Sequence, residues 1–159
     1  MPAKTLRNLV RAAIICLAVF ALFGCSFILP VQGLSMARAN PELAYCFWPW
    51  LLLFWVTCLP LFAVLVLAWL VADAIGQDQV FTHKIASLVK ISSILLFGSV
   101  GIFFIGNLVF LILWMSHPAV MLVSLFVDVF GLSLAVGVAV LARYLHKAAD
   151  LQDEADGTI

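Results

Sequence analysis

Four long apolar stretches, 12–29, 46–72, 91–115 and 118–141, fill most of the chain, and the polar residues collect in the breaks between them and at the two ends. Inside each stretch the apolar positions run on continuously. They do not alternate with period two, so the pattern fits a helix in hydrocarbon rather than a barrel strand. Crossing a hydrocarbon core of about 30 Å takes about 20 apolar residues at 1.5 Å per residue, which these lengths suit. Adding the flanking turns gives expected helices at about 9–30, 46–74, 83–115 and 118–147, followed by a tail, 148–159. The expectation is an all-α, single-domain, multi-pass protein whose immediate partner is the lipid bilayer.

Turn signals divide the helices unevenly. Segment 31–45 reads as a modest loop of small and polar residues with a turn at Asn40-Pro41. Ser116-His117-Pro118 leaves so little chain that the last two helices must form an antiparallel hairpin, with Pro118 in the first turn of the fourth. Pro60 falls inside the second helix, where a missing N–H predicts a kink. Gly76 suits a helix end. After Asp78 and Phe81, Thr82 suits an N-cap for a helix that begins before the membrane.

Charge decides orientation. Seven of the eight Lys and Arg residues (Lys4, Arg7, Arg11, Lys84, Lys90, Arg143 and Lys147) lie on one side, and Arg38 alone lies on the other. The positive-inside rule makes the richer face cytoplasmic, with both termini there, and predicts a cell inner-membrane location. Tyr45, Trp48, Trp50 and Trp114 are placed at outer helix ends, and Trp69 and Tyr144 at inner ends. Lys4, Arg7 and Arg11 before an apolar run also resemble a signal peptide, and Leu22-Phe23-Gly24-Cys25 loosely resembles a lipidation site. Phe23 is bulky for that motif and Ser26-Phe27-Ile28-Leu29 stays apolar after it, so an uncleaved first helix is expected.

Composition narrows the chemistry. The 159 residues are 66% hydrophobic and 10% charged, with zero formal net charge, which gives no basis for direct nucleic-acid binding. Cys16, Cys25, Cys46 and Cys58 show no CxxC spacing and read as soft apolar residues, although spacing leaves a Cys25–Cys46 disulfide open. His83, His117 and His146 sit at span ends, where solvated roles are expected rather than metal binding. No nucleophile with a base is visible, so no enzyme, metal or cofactor is expected.

Asp128 is the exception within a span. Ten residues from Pro118 it lies about 15 Å deep, where a carboxyl group should be neutral or paired. Counting back from the turn places Asn107 at a similar depth. A hydrogen bond between Asn107 and a protonated Asp128 would clamp the hairpin, whereas the functional alternative is a proton or ion relay. Gly98, Gly101, Gly106, Gly131 and Gly137 favour close helix packing, within the chain or in a homo-oligomer.

The fourth helix should project beyond the membrane. Arg143, Lys147, Asp150 and Glu154 form one polar stripe, while Leu141, Tyr144, Ala148, Leu151 and Ala155 share another face. Asp150, Asp153, Glu154 and Asp156 make the end acidic. This segment reads either as a helix end packed on the start of the third helix or as a docking surface for a basic soluble partner.

Two segments carry a family resemblance. Val80-Phe81-Thr82 followed by Ile85, Leu88 and Ile91, together with the tail from Lys147 through Asp150-Leu151 and Asp156-Gly157-Thr158-Ile159, resembles the bacterial membrane family called domain of unknown function 2975. Gly157 stands where leucine is usual, and His83-Lys84 replaces a common Glu-Asn. The resemblance implies a four-helix membrane protein, often encoded beside a small helix-turn-helix regulator. It therefore suggests a regulatory or interaction partner of such a cytoplasmic transcription factor. The alternatives are a small proton- or ion-coupled transporter or channel centred on Asp128, and a structural subunit of a membrane complex.

Overall fold

The computed structural model describes residues 3–77 and 81–156. Its helices are α1 (Ala3–Phe23), α2 (Leu29–Ala39), α3 (Phe47–Gly76), α4 (His83–Ile112) and α5 (Pro118–Asp156). A π-helical turn, Gly24–Ile28, joins α1 to α2, and a 3₁₀ segment, Pro41–Cys46, leads into α3. Four continuous stretches are long and apolar enough to cross a membrane: Lys4–Ala39, Pro41–Gly76, His83–Ile112 and Pro118–Ala155. Among the described residues there is no strand.

Segment 31–45 is therefore not the loop that its small residues suggest, because the first span stays helical to Ala39. Pro30 causes the irregularity just before it. Having no N–H, it cannot continue the i→i−4 ladder, and the Leu29 N–H reaches back five residues to the Gly24 carbonyl. The helix breaks only at Asn40, whose φ of −129° and ψ of 81° leave the helical region.

The α4–α5 turn begins earlier than expected, after Ile112 instead of Met115. The Met115 N–H bonds the Phe110 carbonyl at 2.9 Å and the Trp114 N–H bonds the Leu111 carbonyl at 3.2 Å, in the manner of a Schellman cap. Such a cap needs one left-handed residue. Trp114 fills that place with φ 56°, a position that normally favours glycine.

Helices pack in chain order as an open bundle: α1 on α3, α3 on α4, α4 on α5. No close backbone contact joins α5 to α1 or α3 among the described residues. The α4–α5 seam explains its own closeness. Asp128, Ala135, Ala142 and Ala149 recur every seven residues along α5 and are all buried. They lie on the side packed against α4, whose own buried residues include Ile85, Ala86, Val89, Ser92 and Ser93, and their spacing is the 3.5-residue rhythm of a left-handed helix pair. Alanine at three of these places lets the backbones approach. Gly131 continues the fit, since a Cβ there would stand 2.8 Å from Val100 Cγ2. Gly106 makes room for Leu53 of α3, whereas Gly98, Gly101 and Gly137 face open space.

Towards the face that carries both termini, α1 is tied to α3 by charge. Arg11 forms an ion pair with Asp73 and lies 4.8 Å over the Trp69 ring. Arg7 packs its stem over Gly76, where a larger residue would collide with it.

Candidate functional site

The intramembrane site lies beside Pro60, which removes the helical bond to the carbonyl four residues earlier, that of Val56. At the neighbouring residue the Ser99 hydroxyl of α4 donates to the Thr57 carbonyl at 2.9 Å and ties α3 to α4. Around this junction a cavity of about 300 Å³ opens between α3, α4 and α5. Its walls are almost wholly apolar, with Phe54, Phe103, Phe130 and Leu134 among them, and the residues with polar side chains along it are Thr57, Cys58, Ser99 and Asp128.

Asp128 is 6% exposed, and neither of its carboxyl oxygens has a hydrogen-bond partner. The Thr57 hydroxyl oxygen beside the same cavity is likewise buried and unpartnered. The expected clamp between Asn107 and Asp128 is not made. Asn107 is buried, but its amide donates to the Phe103 carbonyl of its own helix at 2.8 Å, and its Oδ1 has no partner. Register is the reason. The Val100–Gly131 contact puts Asn107 level with Ser124, one helical turn from Asp128. The Ser124 hydroxyl in turn donates to the Met121 carbonyl at 2.9 Å. Thr57 and Ser99 escaped the sequence reading, and only the position of Thr57 three residues before Pro60 hinted at a role.

The cysteines are also rearranged. The Cys25 thiol lies 3.1 Å from the Cys58 sulfur, and both are free. Cys46, the partner that spacing left open for Cys25, is instead buried at the start of α3. The π-helical turn helps to aim Cys25 at α3, where the Trp55 indole donates to the Cys25 carbonyl at 3.1 Å.

At the terminal face, Thr82 caps α4, its hydroxyl accepting from the Ile85 N–H at 3.4 Å. Phe81 is exposed, and Asp78 lies outside the described residues. Helix α5 continues through the tail to Asp156, whose side chain is also outside them. His83 Nε2 lies 3.5 Å from an Asp150 oxygen and 3.2 Å from an Asp153 oxygen, and its ring centre is 5.8 Å from that of His146. These contacts fasten the start of α4 to the end of α5.

The α5 face that packs differs from the expected one. Ala142 and Ala149 are buried, whereas Leu141, Tyr144 and Leu151 are 53–68% exposed. The close seam accepts alanine and excludes the larger side chains one position away. Arg143, Lys147 and Glu154 are exposed on the same extension. No group of three or more His, Cys, Asp or Glu among the described residues is arranged to hold a metal ion.

A family model described as Protein of unknown function (DUF2975) matches residues 31–159. That match includes both the cavity and the extension of α5. No curated protein and no solved structure matches the chain.

Proposed function

The chain belongs to the DUF2975 family, and from that premise we propose a non-enzymatic regulatory protein of the cell inner membrane. In this reading the terminal face is cytoplasmic and binds a soluble helix-turn-helix transcription factor. The observation that carries the reading is the unbroken α5, whose 39 residues span about 58 Å against a hydrocarbon core of about 30 Å. Its last turns hold Asp150 and Asp153 with side chains 62% and 72% exposed, despite their contacts with His83. Exposed Tyr144 and Leu151 lie along the same extension. Carboxylates flanked by apolar side chains would complement a basic recognition helix and compete with DNA phosphate for it.

The test is recovery of a purified helix-turn-helix regulator, of the kind that the family resemblance implies, on proteoliposomes that carry the full chain. Recovery should fall on adding salt and disappear in the double variant Asp150→Lys, Asp153→Lys. Equal recovery after removal of residues 148–159 would reject the tail as the docking site.

A second reading, proton- or ion-coupled transport centred on Asp128, draws on its buried, unpartnered carboxyl group. Unchanged proton and cation flux in Asp128→Asn proteoliposomes would reject it.

A further inference from the structure

Two thiols on different spans meet inside the membrane. Cys25 of the π-helical turn carries its sulfur 3.1 Å from that of Cys58 on α3, and both thiols are free. We propose that Cys25 and Cys58 are a redox site for a lipid-soluble quinone, whose reduction leaves a disulfide that locks the first span to α3. The bond requires the sulfurs to approach by about 1 Å, since a disulfide measures about 2.05 Å. The backbone is already held for it: the Trp55 indole, one turn before Cys58 on the same helix, donates to the Cys25 carbonyl at 3.1 Å. Cys16 on α1 and Cys46 at the start of α3 have no thiol partner among the described residues.

Depth selects the oxidant. Cys58 stands close to the midpoint of the span Pro41–Gly76. A charged oxidant such as glutathione disulfide would have to enter hydrocarbon to reach it, at high cost. A quinone is neutral and dissolves in the bilayer. Both cysteines are partly exposed, and the nearby Phe27 and Leu59 are 57% and 66% exposed on the lipid-facing surface. The step balances without another reactant: both S–H bonds break, the S–S bond forms, and two protons and two electrons convert the quinone carbonyls to the hydroxyls of a hydroquinone. It occurs once per chain and is not a turnover. Its consequence follows from the packing. Among the described residues the first span makes its close backbone contacts with α3 and the 3₁₀ segment before it. Arg7 and Arg11 fasten that span to α3 near the terminal face, and the disulfide adds a second fixed point at mid-depth. The site lies within the span, so it does not depend on the docking reading.

The test uses the full chain in lipid nanodiscs, reduced, freed of reductant and kept without oxygen. Decylubiquinone is then added, because its fully substituted ring leaves no position for thiol addition. Expected are one hydroquinone per chain above empty nanodiscs, loss of two alkylatable thiols, and a peptide map that joins Cys25 to Cys58. Cys25→Ser and Cys58→Ser should each abolish all three, whereas Cys16→Ser and Cys46→Ser should keep them. Glutathione disulfide at the same concentration should act at least about tenfold more slowly, given the cost of charge in hydrocarbon. The oxidised chain should unfold at a higher dodecyl sulfate midpoint than the reduced chain, with no such shift in Cys58→Ser. Should the serine variants fail to fold, the map of the unaltered chain decides. Hydroquinone formation equal to that of empty nanodiscs overturns the proposal, and so does a disulfide that maps to Cys16, Cys46 or a second chain. Equal rates with the quinone and glutathione disulfide overturn the choice of oxidant, and an unchanged midpoint overturns the lock.

Discussion

The relation between Asn107 and Asp128 can be measured as a coupling energy. The perturbations are Asn107→Ala and Asp128→Ala, singly and together, in the full chain. Were the two side chains hydrogen-bonded across the hairpin, the double variant would be less destabilised than the sum. The coupling would then resemble that of interhelical polar pairs in membranes, about 0.6 kcal/mol and up to about 1.7 kcal/mol. In the structure they share no hydrogen bond: Asn107 donates to Phe103, and both Asp128 oxygens are unpartnered. The expected coupling is therefore zero to within about 0.3–0.5 kcal/mol, the usual additivity for independent sites. Asn107→Ala and a further variant outside the cycle, Asp128→Leu, should differ in sign. Asn107→Ala removes a buried hydrogen bond and leaves a void, costing about 1–3 kcal/mol. Asp128→Leu removes an unsatisfied buried carboxyl and should stabilise the fold by about 1–3 kcal/mol. Reversible unfolding in mixed detergent micelles titrated with dodecyl sulfate reads all of these. A coupling of about 1 kcal/mol or more, or a clear loss of stability in Asp128→Leu, would refute the register and restore the clamp.

Three other outcomes test separate parts of the fold. Oxidation of membranes with a permeant reagent should remove two of the four alkylatable thiols, and neither Cys25→Ser nor Cys58→Ser should show that paired loss; alkylation followed by intact-mass measurement reads it. Ser99→Ala should destabilise the chain by about 1 kcal/mol, because it removes the interhelical hydrogen bond to the Thr57 carbonyl, whereas Ser133→Ala, whose hydroxyl only back-bonds to Val129, should cost much less in the same micelle titration. Trp114→Gly should relieve the left-handed backbone strain, worth about 1–2 kcal/mol, offset in part by the loss of an interfacial aromatic anchor; in micelles, where the anchor matters least, the net should be stabilising.

Element existence followed from local facts that need no partner. Continuous apolar runs of about 20 residues have one economical solution in hydrocarbon, so the four spans were legible, as was the hairpin forced by Ser116-His117-Pro118. Thr82 could be read as a cap because its own backbone context defines the role. The extent of the first span could not, since the small residues of 31–39 are compatible with loop or helix and Pro30 was accommodated by a π-helical turn.

The site lay beyond reach for a different reason. Which groups meet across two helices depends on register and rotation, and an error of four residues in the hairpin moves a side chain by a full turn. That shift separated Asn107 from Asp128 and left Asp128 on the wall of the cavity that Thr57 also lines. One position of rotation likewise moved the packed face of α5 from Tyr144 and Leu151 to Ala142 and Ala149. Hydrophobicity along the chain thus determined that this protein spans the membrane four times and where its charges gather. Close packing between helices alone decided that Asp128 is buried without a partner at the wall of a cavity and that α5 ends fastened to His83, because those contacts belong to pairs of surfaces and not to any single segment.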